Sequence, residues 1–165
     1  MSYKWNTRTE LLLGAERMEY LSHCHVLVVG LGGVGAYAAE QICRAGIGHM
    51  TIVDADTVND SNINRQLPAL HSTLGMQKAE VVGQRLLDIN PRLKLTILNE
   101  FLRDERTEEV LSAQKYDFIV DAIDSLSPKA YLLYHAYRRE IPIVSSMGAG
   151  AKIDPSQVKI ADISK

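Results

Sequence analysis

The sequence has little of what would assign it to a specialised class of protein. It contains only two cysteines, Cys24 and Cys43, which excludes a disulfide framework and a zinc site built from paired cysteines. So little cysteine is typical of a reducing, cytoplasmic compartment. No apolar run approaches the ~20 residues that a membrane span requires, so we expect no membrane partner.

The chain also lacks an excess of charge of either sign. It has 18 Lys and Arg residues against 20 Asp and Glu residues, a formal net charge of −2. Nucleic acid is therefore not attracted by the chain as a whole, and must be bound by a local patch if it is bound at all. The 5 prolines and 11 glycines mark no linker, so the 165 residues are expected to form a single domain.

What the sequence does contain is a regular alternation of strand-like and helix-like segments. The spacing of apolar residues from Thr9 to Leu21 predicts one amphipathic helix that leads into the core. The predicted strands are His25–Gly30, Met50–Val53, Leu93–Leu98, Tyr116–Val120 and Ile141–Ser145. The predicted helices that follow are Gly32–Gly46, Met76–Ile89, Arg106–Ser112 and Ser127–Arg139. This order predicts an α/β fold: a Rossmann-like, doubly wound, mostly parallel sheet with an N-terminal helix.

A glycine-rich loop follows the first predicted strand, where ligands of such sheets bind. Its glycines are Gly30, Gly32, Gly33 and Gly35. Glycine lets the backbone approach a phosphate closely, at the positive end of the next helix. Asp54, at the end of the second strand, is placed to hold a ribose hydroxyl. The loop therefore predicts nucleotide binding; the alternative is that its glycines only permit close packing of helix on strand.

A long polar insertion after Asp54 indicates which nucleotide is bound. It ends at Arg65 and Gln66, and Lys78 follows in the first turn of the next helix. Hydride transfer needs no such cations, whereas polyphosphate chemistry does, because the charge on the phosphates must be offset. Asp124, just beyond the fourth strand, is placed to hold Mg²⁺. The set favours a polyphosphate substrate over a nicotinamide cofactor.

Taken in order, these motifs resemble the adenylation domain of the ubiquitin-activating E1-like superfamily, also called the ThiF/MoeB/HesA superfamily. They are Gly30-x-Gly-Gly-x-Gly35, Asp54-x-Asp56, Ser61-Asn-x-x-Arg-Gln66, Lys78 and Asp121-x-x-Asp124. Further segments are most similar to bacterial tRNA threonylcarbamoyladenosine dehydratases: Asn6–Gly14, Ala45–Gly48, Asp121–Ser125, Pro128-Lys129 and Met147–Pro155. The resemblance implies one adenylation domain over residues 1–165, and we expect it to be truncated at its C-terminus.

The resemblance also implies roles for individual residues, with ATP and Mg²⁺ as the cofactors. The four glycines match those beneath the phosphates, and Asp54 matches the acid on the ATP ribose. Asn62, Arg65 and Lys78 match polar groups around the phosphates, and Asp124 matches the Mg²⁺-linked acid. Arg8 matches an arginine that, in dimeric relatives, reaches the neighbouring subunit's ATP, so the full-length protein is expected to be a homodimer.

Each role has a structural alternative. Arg8 is also explained as a solvated residue, Arg65 as the ion-pair partner of Asp60 or Asp56, and Lys78 as a side chain extended along an exposed helix face. Asp56 and Ser61 are types that cap turns, and Asp121 is a type that hydrogen-bonds at a strand end. A loop at the same rim is a weaker candidate for the substrate pocket: Ser145, Ser146, Gly148 and Gly150.

Cysteine and histidine give no sign of further chemistry. Cys24 and Cys43 are predicted to be small buried residues, and no cysteine follows Cys43, as a thioester- or persulfide-forming member of the superfamily would require. The histidines have no partners at metal or triad spacing: His23, His25, His49, His71 and His135. These absences favour simple adenylation over sulfur transfer to a carrier protein.

Three hypotheses follow. The first is ATP-dependent adenylation of a carboxylate that leads to cyclising dehydration of N6-threonylcarbamoyladenosine in tRNA. The second is adenylation of the C-terminus of a ubiquitin-like sulfur-carrier protein. The third is an NAD-dependent oxidoreductase or a regulatory nucleotide-binding module. For tRNA, the densest basic cluster is Arg138-Arg139 with Lys129, although paired arginines at a helix end are more typical of dipole stabilisation.

Overall fold

The computed structural model describes residues 4–148 and 153–163, in which the chain forms five strands and six α-helices. The strands are β1 (His25–Val29), β2 (His49–Val53), β3 (Lys94–Leu98), β4 (Phe118–Asp121) and β5 (Ile143–Ser145). The helices are α1 (Thr7–Leu13), α2 (Ala15–His23), α3 (Gly35–Ala45), α4 (Lys78–Ile89), α5 (Glu105–Ala113) and α6 (Leu126–Arg138). The strands pair in the order β3-β2-β1-β4-β5, always in parallel, which confirms the predicted doubly wound α/β fold.

The central strand β1 explains why this part of the sequence is a continuous apolar run. All five of its residues are buried, as expected for a strand covered on both faces. In register, Val29 pairs with Val53 of β2 on one side and with Asp121 of β4 on the other. The three strands therefore end level, and the residues that follow them meet at one edge of the sheet.

The helices cover the two faces of the sheet and form two apolar clusters. On one face, α3 and α4 contribute Ala36, Ala39, Cys43, Ala79, Val82 and Leu86. On the other, α5 and α6 contribute Val110, Leu111, Leu132 and Ala136. Cys43 is fully buried and Cys24 is 8% exposed, as predicted. Burial raises the pKa of the Cys43 thiol to about 11, so this group is protonated at neutral pH and is no nucleophile.

The N-terminal segment differs from its prediction. Instead of one helix over Thr9–Leu21, the chain forms α1 and α2, which Gly14 separates with φ +82°. Neither helix contains a buried residue, and Leu11 and Leu12 are 77% and 80% exposed. Only the end of α2 approaches the core, through the partly buried Leu21. The periodicity counted Gly14 as a helical position, but its left-handed backbone ends the first helix.

The other boundaries differ from prediction by a few residues, and the differences have local causes. The last strand begins at Ile143 rather than Ile141, following Pro142, which has no N–H to donate to a ladder. The fourth strand extends to Asp121, so this carboxylate lies inside the sheet. As predicted, a glycine stops α3: the helix ends at Ala45 and is capped by Gly46, whose φ of +102° is left-handed.

Gly35 is expected to be essential for folding. A methyl group there would overlap the backbone oxygen of Gly30, because α3 begins directly against the glycine loop. We expect Gly35→Ala to lower the free energy of unfolding by more than about 3 kcal/mol in urea denaturation. Gly33→Ala is the matched control, since its methyl group would lie 3.5 Å from the Arg65 backbone oxygen, an ordinary contact. Equal stability of the two variants would contradict this packing.

Candidate active site

A cavity of about 510 Å³ lies at the carboxyl ends of the strands. It lies where the loops after β1 and β4 meet. These two strands are neighbours, but the chain leaves β1 toward β2 on one side of the sheet and leaves β4 toward β5 on the other. Ligands of this fold usually bind at such a point. Its polar lining comes from Asp54, Asp56, Arg65, Gln66, Lys78, Glu100, Asp124, Ser125 and Ser146, together with Gly30, Gly32 and Gly33.

The glycine loop forms one wall of this cavity. Gly30 has φ +88°, and a Cβ atom there would lie 2.6 Å from the Ala122 backbone oxygen, so only glycine fits between β1 and the loop after β4. At Gly32 and Gly33 an added Cβ atom would lie 3.6 Å from Nε2 of Gln66 and 3.5 Å from the Arg65 backbone oxygen, which are ordinary contacts, and both glycines line the space of the cavity. Since α3 begins at Gly35, its positive end lies beside this space and favours an anionic ligand.

Asp54 joins the glycine loop to the polar insertion. One carboxylate oxygen accepts a hydrogen bond from the Leu31 N–H at 2.6 Å, and the other accepts one from the Asp56 N–H at 2.8 Å. Burial is the largest influence on this carboxyl and raises its pKa above the ordinary value despite these bonds. Each oxygen retains a lone pair, so Asp54 can also accept a hydrogen bond from a ligand hydroxyl in the cavity.

Lys78 lies inside the site and not on an exposed helix face, so the alternative of an extended surface side chain is wrong. It is the first residue of α4 and is 5% exposed, with its Nζ 2.7 Å from Oδ2 of Asp56. The Asp56 side chain is 53% exposed. An anionic ligand that enters the cavity can therefore approach the same ammonium group that Asp56 holds in place.

Arg65 brings a second cation to the cavity. Its Nη1 donates to the Ser61 backbone oxygen at 2.8 Å and to Oδ1 of Asn64 at 2.9 Å. Among residues 4–148 and 153–163 no carboxylate forms an ion pair with it, so the predicted alternative of pairing with Asp60 or Asp56 is wrong. An exposed arginine that is oriented by neutral oxygens retains its charge for a ligand.

Asn62 lies in the same insertion but does not line the cavity. It is buried in a short 3₁₀ helix, Asp60–Asn62, and its Oδ1 accepts a hydrogen bond from the Asn59 N–H at 3.0 Å. This contact stabilises the turn that carries Arg65. The structure thus gives Asn62 a clear role in the shape of the loop, and its role as a phosphate ligand stays a prediction.

The cavity also contains two side chains to which the sequence analysis gave no role. Gln66 has a buried Oε1 with no hydrogen-bond partner among the described residues, so it can accept one from a ligand. Phe101, in the loop after β3, is 64% exposed and offers an aromatic face. The position of Gln66 next to Arg65 in the Ser61–Gln66 motif could have indicated its place in the site. Nothing in the sequence distinguished Phe101 from a core residue.

Asp124 is an exposed carboxylate at the rim, and its Oδ1 accepts a hydrogen bond from the Ser125 hydroxyl at 3.1 Å. The described part of the chain has no group of three or more His, Cys, Asp or Glu side chains able to hold a metal ion. The described residues around Asp124 therefore do not form a preformed metal site. A single carboxylate such as that of Asp124 fits a Mg²⁺ ion that is also bound by the phosphates of a nucleotide, a usual arrangement for this ion.

A buried ion pair lies behind the rim. Nζ of Lys129, on α6, donates a hydrogen bond to Oδ2 of Asp121. It donates another to the backbone oxygen of Ser146 at 3.0 Å. Oδ1 of Asp121 accepts a hydrogen bond from the Ile123 N–H at 3.0 Å. The pair thus fixes both the loop that carries Asp124 and the rim that begins at Ser146. Asp121 is a strand-end hydrogen-bonding residue, as predicted, but the buried Lys129 adds nothing to the basic surface at Arg138.

Lys129→Met is expected to lower the free energy of unfolding by about 3–5 kcal/mol, because it leaves the fully buried Asp121 carboxylate without its partner. Chemical denaturation measures the loss. Lys115→Met, at an exposed position, is the control and should change stability by less than about 0.5 kcal/mol. A Lys129→Met protein as stable as the control would show that the pair contributes nothing to the fold.

Of the remaining candidates, some line the cavity and the others lie outside it or outside the described residues. Arg8 is exposed on α1 and does not line the cavity. Ser146 and Gly148 line it, whereas Gly150 falls outside the described residues. The buried His25 packs against Tyr116 with 4.6 Å between ring centroids, which is a structural role.

Comparison with known proteins agrees with this geometry. Residues 3–162 match the model of the ThiF family. The chain belongs to the ThiF family. It is 42% identical over 159 residues, 96% of its length, to the tRNA threonylcarbamoyladenosine dehydratase of Bacillus subtilis strain 168. It is 33% identical over 139 residues, 84% of its length, to the molybdopterin-synthase adenylyltransferase of Salmonella typhimurium strain LT2, of which it covers 54%.

Solved structures of the family share the fold. The crystal structure of the Escherichia coli tRNA N6-threonylcarbamoyladenosine dehydratase in complex with ATP superposes with a TM-score of 0.92 and 38% identity, covering 96% of this chain and 65% of that one. The chain spans 62% of the length of the Bacillus dehydratase. These matches confirm the resemblance and the fold inferred from the sequence. No helix among the described residues is long and apolar enough to cross a membrane.

Proposed function

We propose that this ThiF-family chain is an ATP-dependent adenylating domain that activates a carboxylate as its acyl-adenylate. The observation that carries the proposal is the convergence of Arg65 and Lys78 on the cavity bounded by the glycine loop, with Asp124 at its rim. Two cations and a helix N-terminus favour a polyphosphate. A structure of a relative with 38% identity in complex with ATP supports the choice of nucleotide.

The chemistry suits the residues that line the site. A carboxylate is ionised at neutral pH, so its attack on the α-phosphorus needs no general base; the bond to pyrophosphate breaks and the acyl-adenylate forms. The requirement is for positioning and for offsetting charge on the phosphates, which Arg65, Lys78 and the loop amides can supply. Asp54 would hold the ribose, and Mg²⁺ shared between Asp124 and the phosphates would offset the charge of the departing pyrophosphate.

We propose that the carboxylate belongs to N6-threonylcarbamoyladenosine in tRNA. A nitrogen of the same modified nucleoside then attacks the activated carbonyl carbon, loses its proton and expels AMP, so that the nucleoside closes into a ring with net loss of water. Identity of 42% to a tRNA threonylcarbamoyladenosine dehydratase over 96% of the chain supports this substrate. Cys43 and Cys24 are both buried, which supports adenylation without a later thioester step.

Mass spectrometry of tRNA nucleosides tests the substrate. tRNA that carries threonylcarbamoyladenosine is incubated with the chain, ATP and Mg²⁺, and we expect the cyclic product to form only when ATP is present. A parallel reaction replaces the tRNA with a ubiquitin-like sulfur-carrier protein. Adenylation of that protein's C-terminus, with unchanged tRNA, would overturn the dehydratase proposal in favour of carrier activation.

Assembly and location are part of the same proposal. We propose that the full-length protein is a cytoplasmic homodimer in which Arg8 reaches the ATP of the neighbouring subunit. The exposure of Arg8 on α1, beside the exposed Leu11 and Leu12, supports a role between subunits. The two free cysteines are compatible with a reducing compartment. Sedimentation of the full-length protein tests the dimer.

A further inference from the structure

A second cavity, of about 260 Å³, lies at the amino-terminal ends of β2 and β3, at the opposite edge of the sheet from the candidate active site. The adenylation chemistry makes no use of it. Its side chains include Trp5, His23, His49, Asn90, Arg92 and Lys94.

Basic groups converge on this cavity. Arg92, Lys94, His23 and His49 line it, and no Asp or Glu is among its described lining residues. Burial lowers the pKa of His49, and the nearby charges of Lys94 and His23 lower it further. Two carboxylates that do not line the cavity act on its imidazoles: Asp117 opposes these effects by raising the pKa of His49, and Oε1 of Glu19 lies 3.8 Å from Nδ1 of His23.

Hydrogen bonds hold the backbone at Arg92 and Lys94 in place. Asn90 is 6% exposed; its Nδ2 donates to the Ile47 backbone oxygen at 3.3 Å, and its Oδ1 accepts from the Arg92 N–H at 3.2 Å. The Lys94 N–H donates to the Gly48 backbone oxygen at 2.9 Å. The turn that carries Arg92 and the start of β3 at Lys94 are thus fixed to the loop on the other side of the cavity.

The chemistry of the lining selects a class of ligand. A guanidinium, an ammonium and imidazole donors around a small cavity suit a phosphate group. The indole of Trp5, which is 38% exposed, adds a face on which a base can stack. Cations beside an exposed aromatic ring are the combination with which proteins bind single-stranded nucleic acid.

We propose that this cavity binds a backbone phosphate of an RNA strand, with Arg92 and Lys94 as phosphate-binding residues and Trp5 as a base-stacking residue. The proposal rests on the proposed function, since it assigns a second contact to the same tRNA substrate. It also supplies the local basic patch that a chain with a net charge of −2 needs in order to bind nucleic acid.

Fluorescence anisotropy with labelled bulk bacterial tRNA tests the proposal over a series of salt concentrations. Arg92→Gln/Lys94→Gln is expected to weaken binding about tenfold and to reduce the slope of log affinity against log salt by about 2. Trp5→Ala is expected to weaken binding about tenfold with an unchanged slope. The control pair Lys115→Gln/Lys159→Gln removes two exposed charges outside both cavities and should leave the slope within about 1 of the parent.

ATP binding, measured by calorimetry, should be the same in all these variants and shows that they are folded. Parent-like tRNA affinity and salt slope in Arg92→Gln/Lys94→Gln would overturn the proposal, as would failure of the parent to bind tRNA at any salt concentration. If inorganic phosphate shifts the NMR signals of His49 while tRNA binding is unaffected by the substitutions, the ligand is free phosphate and the RNA assignment is wrong. If Arg92→Gln/Lys94→Gln weakens tRNA binding although the parent chain forms no adenylate, the result would support this site and overturn the proposed function.

Discussion

Arg65→Ala is expected to slow adenylate formation by about 10²- to 10³-fold, measured as ATP–pyrophosphate exchange in the presence of the carboxylate substrate. The Arg65 guanidinium is oriented by Ser61 and Asn64, and no carboxylate among the described residues neutralises it. Its charge is therefore available in the transition state, where negative charge on the phosphates must be offset. Because the side chain is exposed, its removal leaves no buried group unpaired.

The same exposure makes Arg65→Ala a clean experiment. The unfolding curve should match that of the parent, and Arg138→Ala provides a matched control. Arg138 is an exposed arginine whose guanidinium lies 5.9 Å from the Tyr134 ring centroid, away from the cavity. Exchange that falls equally in the two variants would show that Arg65 has no special place in the reaction.

Asp124→Ala is expected to reduce exchange by more than about 10²-fold at millimolar Mg²⁺, with a smaller deficit at higher Mg²⁺. The Asp124 carboxylate lies at the rim of the cavity, and within the described residues no cluster of three or more potential ligands is available to replace it. An ion that shares the Asp124 carboxylate with the phosphates loses that charged ligand in this variant. Magnesium titrations of the exchange rate measure the effect.

Asp60→Ala is the control for Asp124→Ala, since it removes another exposed carboxylate from a loop of the same edge, outside the cavity lining. It should leave the magnesium dependence unchanged. Normal exchange by Asp124→Ala at every Mg²⁺ concentration would remove Asp124 from the site. Lys78 is a less informative target, because it is buried against Asp56 and its loss is expected to lower stability together with any activity.

The fold was predictable because its signals are local and repeated. The apolar run at β1 and the glycine that follows it belong to one strand–loop–helix unit, and parallel pairing then brings Gly30, Asp54 and Asp124 to one edge. Arg65 and Lys78 were predicted from their charge beside this edge. The positions of these residues in the cavity agree with that reasoning, while their chemical roles stay predictions.

Other features depend on tertiary contacts that no spacing in the sequence reveals. The periodicity over Thr9–Leu21 gave no sign that Gly14 breaks the helix or that the apolar side chains stay exposed. Lys129 was indistinguishable from a surface lysine, because its partner Asp121 becomes buried only when β4 enters the sheet. Asn62 was assigned to a ligand although its oxygen is used by the turn around it.

Isotope transfer from the substrate carboxylate to AMP tests the central claim most directly. tRNA whose threonylcarbamoyl carboxylate carries heavy oxygen is incubated with the chain, ATP and Mg²⁺, and the phosphate products are analysed by mass spectrometry. If the carboxylate attacks the α-phosphorus and AMP is expelled from the carbonyl, one labelled oxygen must appear in AMP for each nucleoside that cyclises. Label in inorganic phosphate together with ADP, or cyclisation without label in AMP, would contradict adenylation.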